Sequence, residues 1–382
     1  MTTNTFNRRQ FLVSSSAVFS IKLLTGGLAG CASTRAATPA PRLRLIGETR
    51  LPHKLQLQNT TVGGLSGLDF DPASGALYLL SDDGDGQSPP RFYTAHLALT
   101  AEKLGAIELT GVTFLQGLIS PDPEAIHWHA PSNTLLWTSE GNAAIAASPS
   151  LQQTRLDGSL VRTFDLPAMF GFGLPDLAKN QDPRINKTFE GLAITPDGRQ
   201  AWTSVKAALR QDGPEPTLQT PGRPCRFTQI DMASGKVLRQ IAYLPDAIPR
   251  APSPPNAEVD NRGGEVLMQD DQRMLVLERA HMTGLGPQNP NSLRLYVIDT
   301  RQPTDTLNIA ALRPGNHTPA ARTKVADFTN FLALARLDNT EAMCWGPTFS
   351  NGNKTLLLVS DDNFNPRQIM QFLAFEFLEY TP

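Results

Sequence analysis

Acidic residues recur at matched places along this chain, opening one apolar run and closing the next. Ser66-Gly-Leu-Asp-Phe leads to Ser81-Asp82-Asp83, Glu124-Ala-Ile-His-Trp to Ser139-Glu140, and Glu190-Gly-Leu-Ala-Ile to Lys206. Glu265-Val-Leu-Met leads in the same way to Glu278-Arg279, and Glu341-Ala-Met-Cys-Trp to Asp361-Asp362. If the runs share one end, Glu124, Glu190, Glu265 and Glu341 form a ring with Ser66 in the fifth place. Around it stand Asp82, Asp83, Asp85, Glu140, Glu278, Asp361 and Asp362 with two fixed cations, Lys206 and Arg279. Carboxylates packed this closely repel one another unless some are protonated or a hard cation lies among them. Calcium, which takes flexible oxygen coordination at about 2.3 to 2.6 Å, is the first candidate and magnesium the second. The bland reading stands beside it, because a repeated Glu can equally accept backbone amides from the neighbouring repeat as a structural staple.

Other chemistry-bearing residues carry weaker signals. Asp83-Gly-Asp-Gly86 resembles part of a calcium loop but lacks the downstream Glu of an EF-hand. His127 and His129 share one strand face without an evident third ligand, which favours packing or capping over zinc. Gly64-Leu-Ser66-Gly-Leu68 misplaces the second glycine of a nucleophile elbow and runs into a strand, which disfavours a serine hydrolase. Cys225 and Cys344 are too few for a disulfide framework and are expected as two separate buried thiols.

The elements that position these residues are strands. Prolines (31) and glycines (29) are spread along the chain, so turns are frequent and long helices scarce. Four β-like runs fit between successive repeat starts, but the fifth repeat supplies only three. Residues 42–51 alternate in β fashion, belong to no repeat, and can provide the missing strand. A ring of four-stranded sheets closed in this way is how a β-propeller removes its open edges. The expectation is therefore an all-β propeller of five blades, or six if a long insertion conceals one. Antiparallel alternation places the long insertions 115–123, 167–188, 207–224, 245–264 and 280–291 on the face that carries the carboxylates, where function usually sits.

A formal net charge of -2 and the absence of an arginine-rich stretch argue against nucleic acid as a partner. The amino-terminal residues read as an address. Asn7-Arg-Arg-Gln-Phe-Leu12 resembles a twin-arginine signal, and Leu28-Ala-Gly-Cys31 a bacterial lipobox. The expected organisation is a signal over 1–31 with lipid on Cys31, a flexible tether over 32–42, and one propeller domain over 43–382. It would be exported and held on the periplasmic face of the envelope, touching the membrane through the lipid alone, as a monomer.

Gly64-Leu-Ser-Gly-Leu-Asp-Phe-Asp, Leu79-Leu-Ser-Asp-Asp-Gly84, Asp122-Pro-Glu-Ala-Ile126, Phe189-Glu-Gly-Leu-Ala-Ile-Thr-Pro-Asp-Gly198, Leu275-Val-Leu-Glu-Arg279 and Leu358-Val-Ser-Asp-Asp-Asn-Phe364 stand in this order along the chain. Together they resemble the bacterial phytase-like family, often described as having esterase-like activity of phytase. The chain departs from the family pattern where Glu265-Val-Leu replaces the usual Glu-Ile-Leu and where Lys206 lacks basic neighbours. The resemblance implies a propeller and, through distant kinship to propeller phytases, calcium-assisted hydrolysis of phosphate esters. In that scheme Glu190, Glu341, Asp82, Asp83, Asp361 and Asp362 are candidate metal ligands, and Lys206 and Arg279 clamp phosphate. Glu124 or Glu265 would be the general base. The rival readings are a non-catalytic propeller that binds a ligand or envelope partner on the same face, and a metal-free ester hydrolase that lacks a visible nucleophile. Arg210, Arg223, Arg226 and Arg262 are the cations that could supplement Lys206 and Arg279.

Overall fold

A computed structural model of the protein describes residues 42–83, 88–117, 122–172, 183–257, 259–284, 291–331 and 333–378. Arg8, Arg9, Cys31 and Asp85, and with them the export signal, the lipid anchor and the rest of the Asp83–Gly86 loop, lie outside the described residues.

Strand-forming runs of alternating or wholly apolar residues assemble into five four-stranded antiparallel sheets, the blades of a β-propeller. Blade 1 comprises Leu65–Phe70, Ala76–Ser81, Arg91–Leu99 and Leu104–Phe114, and blade 2 Pro123–His129, Thr134–Ser139, Ser150–Thr154 and Leu160–Thr163. Blade 3 comprises Phe189–Ile194, Gln200–Val205, Cys225–Asp231 and Val237–Tyr243, and blade 4 Val259–Met268, Arg273–Met282, Asn291–Asp299 and Arg322–Asp327. Blade 5 takes Thr340–Thr348, Lys354–Ser360 and Met370–Leu378 from the carboxyl-terminal part of the chain, and its outermost strand, Arg42–Leu51, from the beginning. That strand is in register with Met370–Leu378 from Arg42↔Leu378 to Leu51↔Met370. Five blades rather than six, with the amino-terminal strand closing the ring, is the expected architecture. A small hairpin, Gln56–Leu57 with Thr60–Thr61, was not anticipated.

Each seam between adjacent blades is an apolar layer, because successive side chains of a strand point to opposite faces of its sheet. Leu65 and Leu79 meet Cys344, Val359 and Phe372 where blade 1 adjoins blade 5. Trp137 fills the seam between blades 1 and 2, Leu151 and Ile230 that between 2 and 3, Trp202 and Val276 that between 3 and 4, and Leu277 and Phe375 that between 4 and 5. Each such side chain contributes about 1.5 to 3 kcal/mol on burial, so the seams hold the innermost strands firmly around a common channel. Cys225 and Cys344 are free thiols, buried in different seams, as expected.

Two insertions differ from the expectation. Blade 4 extends farther toward the carboxylate face, since its first strand begins at Val259 and its second continues to Met282. A long connection over 300–321 lies on the opposite face, between the third and fourth strands of blade 4. It packs along blade 3, with Thr306 N donating to Gln240 O and Ala320 N to Ala242 O. Arg226, a candidate for the carboxylate face, is fully buried here. It makes a bidentate pair with Asp212 at 2.7 and 2.8 Å and donates to the carbonyls of Thr306 and Ile309. Its work is structural.

Candidate functional site

Every innermost strand carries a β-bulge near its start, and the bulges determine which side chains meet. Pairing with the second strand slips between Leu65 and Gly67 in blade 1, Pro123 and Ile126 in blade 2, and Phe189 and Gly191 in blade 3. It slips between Gly263 and Glu265 in blade 4, and between Thr340 and Ala342 in blade 5. A bulge re-aims the residue it leaves unpaired. The residues so placed are Ser66, Glu124 with Ala125 after it, Glu190, Gly264 and Glu341. Glu265 therefore takes the register position of Gly67, Gly191 and Ala342, not that of the other glutamates. This corrects the ring read from the sequence, and the cause is the Gly263-Gly264 pair preceding Glu265.

The second strands end beside the bulges. The amides of Asp82, Glu140, Lys206 and Asp361 donate to the carbonyls of Gly64, Asp122, Thr188 and Asn339 at 2.7 to 2.9 Å, and Arg279 stands opposite Arg262 in blade 4. The second strands of blades 5, 1 and 2 thus end in acidic groups at this face, and those of blades 3 and 4 bring cations, Lys206 and Arg279, to it.

Two carboxylate clusters share Glu124. The ligand atoms of Asp82, Asp122 and Glu124 lie within 4.8 Å of one another, as do those of Glu124, Glu140 and Glu190. The second cluster has its own counter-ion, since Lys206 Nζ lies 2.5 Å from Glu190 Oε2. Burial works against the Lys206 charge, but Glu140, Glu190 and Glu124 together hold its pKa above the ordinary lysine value. Burial pushes Glu140 up to about 7, with Glu190 adding to the shift and Lys206 opposing it. Burial also raises Glu124 well above the usual carboxylate range, against the pull of Lys206. Asp82 is raised by burial and then by Asp122 and Asp361, and its Oδ1 is buried without a hydrogen bond. A set of hard carboxylate oxygens with one orphaned acceptor fits an oxygen-seeking divalent cation such as calcium or magnesium. Asp82, Asp122 and Glu124 would hold it.

The remaining predicted residues separate into distinct roles. Asp83 binds buried Arg91 at 3.0 Å and accepts the Ser88 amide, so it braces blade 1 and is not placed as a ligand. Asp362 accepts the amides of Gly64 and Phe364 and meets His53 Nδ1 at 3.2 Å, which staples blade 5 to blade 1. Glu265 is another staple, with Oε1 accepting Met343 N at 3.3 Å from the next blade, and its burial raises its pKa well above the ordinary value. It belongs to neither carboxylate cluster among the described residues. Glu140 combines both readings, as its Oε1 accepts Thr188 N at 2.6 Å across the seam between blades 2 and 3. Glu341 accepts from Arg279 Nη2 at 2.7 Å and from Asn339 Nδ2 at 3.0 Å. Asp361 accepts Asn363 N at 2.7 Å, and burial, then Glu341, raises its pKa. Lys206, buried among carboxylates, is a counter-ion and not a clamp open to substrate.

The weaker motifs resolve as structure. His129 caps a turn through Ser132 and Gly198 O, His127 pairs with Asp69, and Ser66 Oγ donates to Pro123 O rather than to a histidine. Asp122 was visible only inside the Asp122-Pro-Glu motif, because nothing in the linear pattern shows that a bulge folds it against Asp82.

Beside Glu341, between blades 4 and 5, opens a cleft of about 770 Å³ lined by Arg262, Arg279, Arg336, Arg367 and His281 among others. Arg262 is paired with Asp260 at 2.5 Å and Arg336 with Asp338 at 2.7 Å. Arg367 is exposed. Only Arg279 and Arg262 were among the cations named from the sequence. The others sit on loops whose convergence depends on the ring.

No curated protein matches the chain. Solved structures similar to it include the Dos1 propeller (8% identity, 82% of this chain and 68% of that one, TM-score 0.33). Kuenenia stuttgartiensis hydrazine synthase (13% identity, 80% of each chain, TM-score 0.32) and U3-55K (8% identity, 88% of this chain and all of that one, TM-score 0.37) are similar at the same remote level. The family model described as phytase-like, esterase-like activity of phytase, matches residues 60–364, a span that contains the bulged glutamates, Asp82, Asp122 and Asp361, and the chain belongs to that family.

Proposed function

We propose that the protein is a calcium-dependent hydrolase of phosphate esters, acting at the carboxylate face of the propeller. The observation that carries this reading is the Asp82, Asp122, Glu124 cluster with its orphaned Asp82 Oδ1, set on the same face as an arginine-lined cleft. Asp82, Asp122 and Glu124 would hold a divalent cation, which when bound would supply positive charge for phosphoryl oxygens and lower the pKa of water. Arg279, Arg262, Arg336 and Arg367 recognise phosphate oxygens, a task to which the guanidinium fork is suited. Lys206 is the counter-ion that pairs with Glu190 beside the site. Glu140, held near neutrality, is the group whose pKa suits proton transfer at working pH.

A lipid on Cys31 would hold a monomeric domain at the periplasmic face of the envelope. Loss of membrane association in Cys31→Ala tests it.

The decisive experiment is phosphate release from phytate and an aryl phosphate after chelation and calcium return, with Asp82→Asn and Asp122→Asn alongside. Release that requires calcium and is lost in both variants supports the proposal. A calcium-induced rise in melting temperature without release overturns catalysis and favours the binding-propeller reading, for which the counter-ion already present at Lys206 speaks.

A further inference from the structure

The channel has a second mouth, at the far end of the innermost strands from the carboxylates. Trp128 lies four positions beyond Glu124, roughly 13 Å along a strand, so the two ends are separate sites. Phe70, Trp128, Ile194, Met268 and Trp345, one from each innermost strand, line a cavity of about 300 Å³ at this end. That is the lower end of the range for small-molecule sites, and the apolar lining is typical of them.

Two fixed charges of opposite sign belong to the same lining, Asp69 and Lys354. Asp69 Oδ2 accepts the Trp128 amide at 2.7 Å and lies 3.2 Å from His127 Nδ1. Both contacts fall on Oδ2, which leaves Oδ1 available to a ligand among the described residues. Lys354 Nζ stands 4.9 Å from the Trp345 ring centroid and donates to Gln269 O at 3.4 Å. An ammonium has three donors, so capacity remains on it.

Charge complementarity narrows the occupant. A simple amine would meet repulsion from Lys354, a simple acid repulsion from Asp69, and a neutral molecule would bring no opposite charge to Asp69 Oδ1 or to the remaining donors of Lys354. We propose that this mouth binds a small zwitterion with an apolar body, of the free α-amino-acid class. Its ammonium meets Asp69 Oδ1, its carboxylate meets Lys354, and its side chain lies against the indoles of Trp128 and Trp345.

The test is calorimetric titration of the whole chain with L-phenylalanine and L-leucine, and with 2-phenylethylamine and 3-phenylpropionate as single-charge probes. At least one amino acid should bind. Each single-charge probe should bind about tenfold more weakly or worse, the loss of one charge-assisted hydrogen bond. Asp69→Asn and Lys354→Met should each weaken the amino acid by a similar factor while melting cooperatively and leaving calcium-dependent phosphate release unchanged. No binding by either amino acid overturns the proposal. So does binding that is indifferent to both substitutions, or an amine bound as tightly as its amino acid.

Discussion

Gly264 lies against the side chain of Glu190: a Cβ on Gly264 would come within 2.7 Å of Glu190 Cγ and 3.1 Å of its Cβ. The bulge that carries a carboxylate or serine in the other blades carries no side chain in blade 4, and Glu190 runs across the space on its way to Lys206. Gly264→Ala should therefore displace Glu190, lowering calcium-dependent phosphate release at least tenfold. The stability cost is that of overpacking, about 1 to 3 kcal/mol. Turnover and denaturant unfolding, measured together, separate the two effects, and unaltered turnover would show that Glu190 can be held another way.

Lys206 compensates three buried carboxylates at once. Lys206→Met leaves them without a counter-ion, and the expected loss is about 3 to 5 kcal/mol in chelator, the usual consequence of breaking a buried ion pair from one side. Added calcium should recover part of that loss, since it can neutralise the same groups. Urea unfolding with and without calcium reads both quantities.

Asp82 and Asp362 should respond in opposite ways. Asp82→Asn removes charge from the cation cluster and is expected to weaken the calcium-induced rise in melting temperature while changing the chelated protein little or stabilising it. Asp362→Ala removes acceptors for the amides of Gly64 and Phe364, which costs about 1 to 3 kcal/mol and leaves the calcium midpoint where it was. Differential scanning across a calcium series distinguishes them.

The chelated domain should lose stability as pH rises through neutrality. Glu140 titrates at about 7 in the fold against an ordinary 4.5, raised chiefly by burial, so between these values the folded state holds more protons than the unfolded one. Its contribution is full below the unfolded pKa and disappears as pH passes the folded pKa. Glu124, Asp82 and Asp361 are raised in the same sense. Calcium, which needs them ionised, should flatten or reverse the slope, and Glu140→Gln should reduce it. Melting temperature from pH 5 to 8, with chelator and with calcium, gives the answer.

Arg367 is exposed at the cleft. Arg367→Ala should raise KM for a phosphate ester severalfold with kcat nearly unchanged, the signature of lost ground-state binding. A fall in kcat alone would place it nearer the reacting atoms than the cleft geometry does.

The fold was legible because one physical pattern repeats: an apolar run, a tight turn, a second run ending in charge. The strand left over at residues 42–51 then had only one place to go. The site was legible to the level of which face and which glutamates, but not to the level of partners. Glu265 was read one position out because a bulge shifts register without leaving a mark in alternation, and the Gly263-Gly264 pair was the one available hint. Asp83 and Asp362 adjoin Asp82 and Asp361 in sequence, yet successive strand-end residues point to opposite sides, and one of each pair turns away, Asp83 to Arg91 within blade 1 and Asp362 to Gly64 across the seam. Asp122, Arg336 and Arg367 come from loops and strand starts far apart in the chain, brought together only by closure of the ring.

That closure also has a mechanical meaning. Arg42 is paired with Leu378 at one end of the zip and Leu51 with Met370 at the other, so a load pulling the two strands apart from the Arg42 and Leu378 side acts across the hydrogen bonds rather than along them. It breaks them one after another at low force, whereas the same strands slid lengthwise would have to yield together. The ring can thus be opened by a directed pull, and single-molecule stretching from these two points would peel the first strand away, drawing Leu43, Leu45 and Leu51 out of the seams flanking blade 5, before the other seams give way.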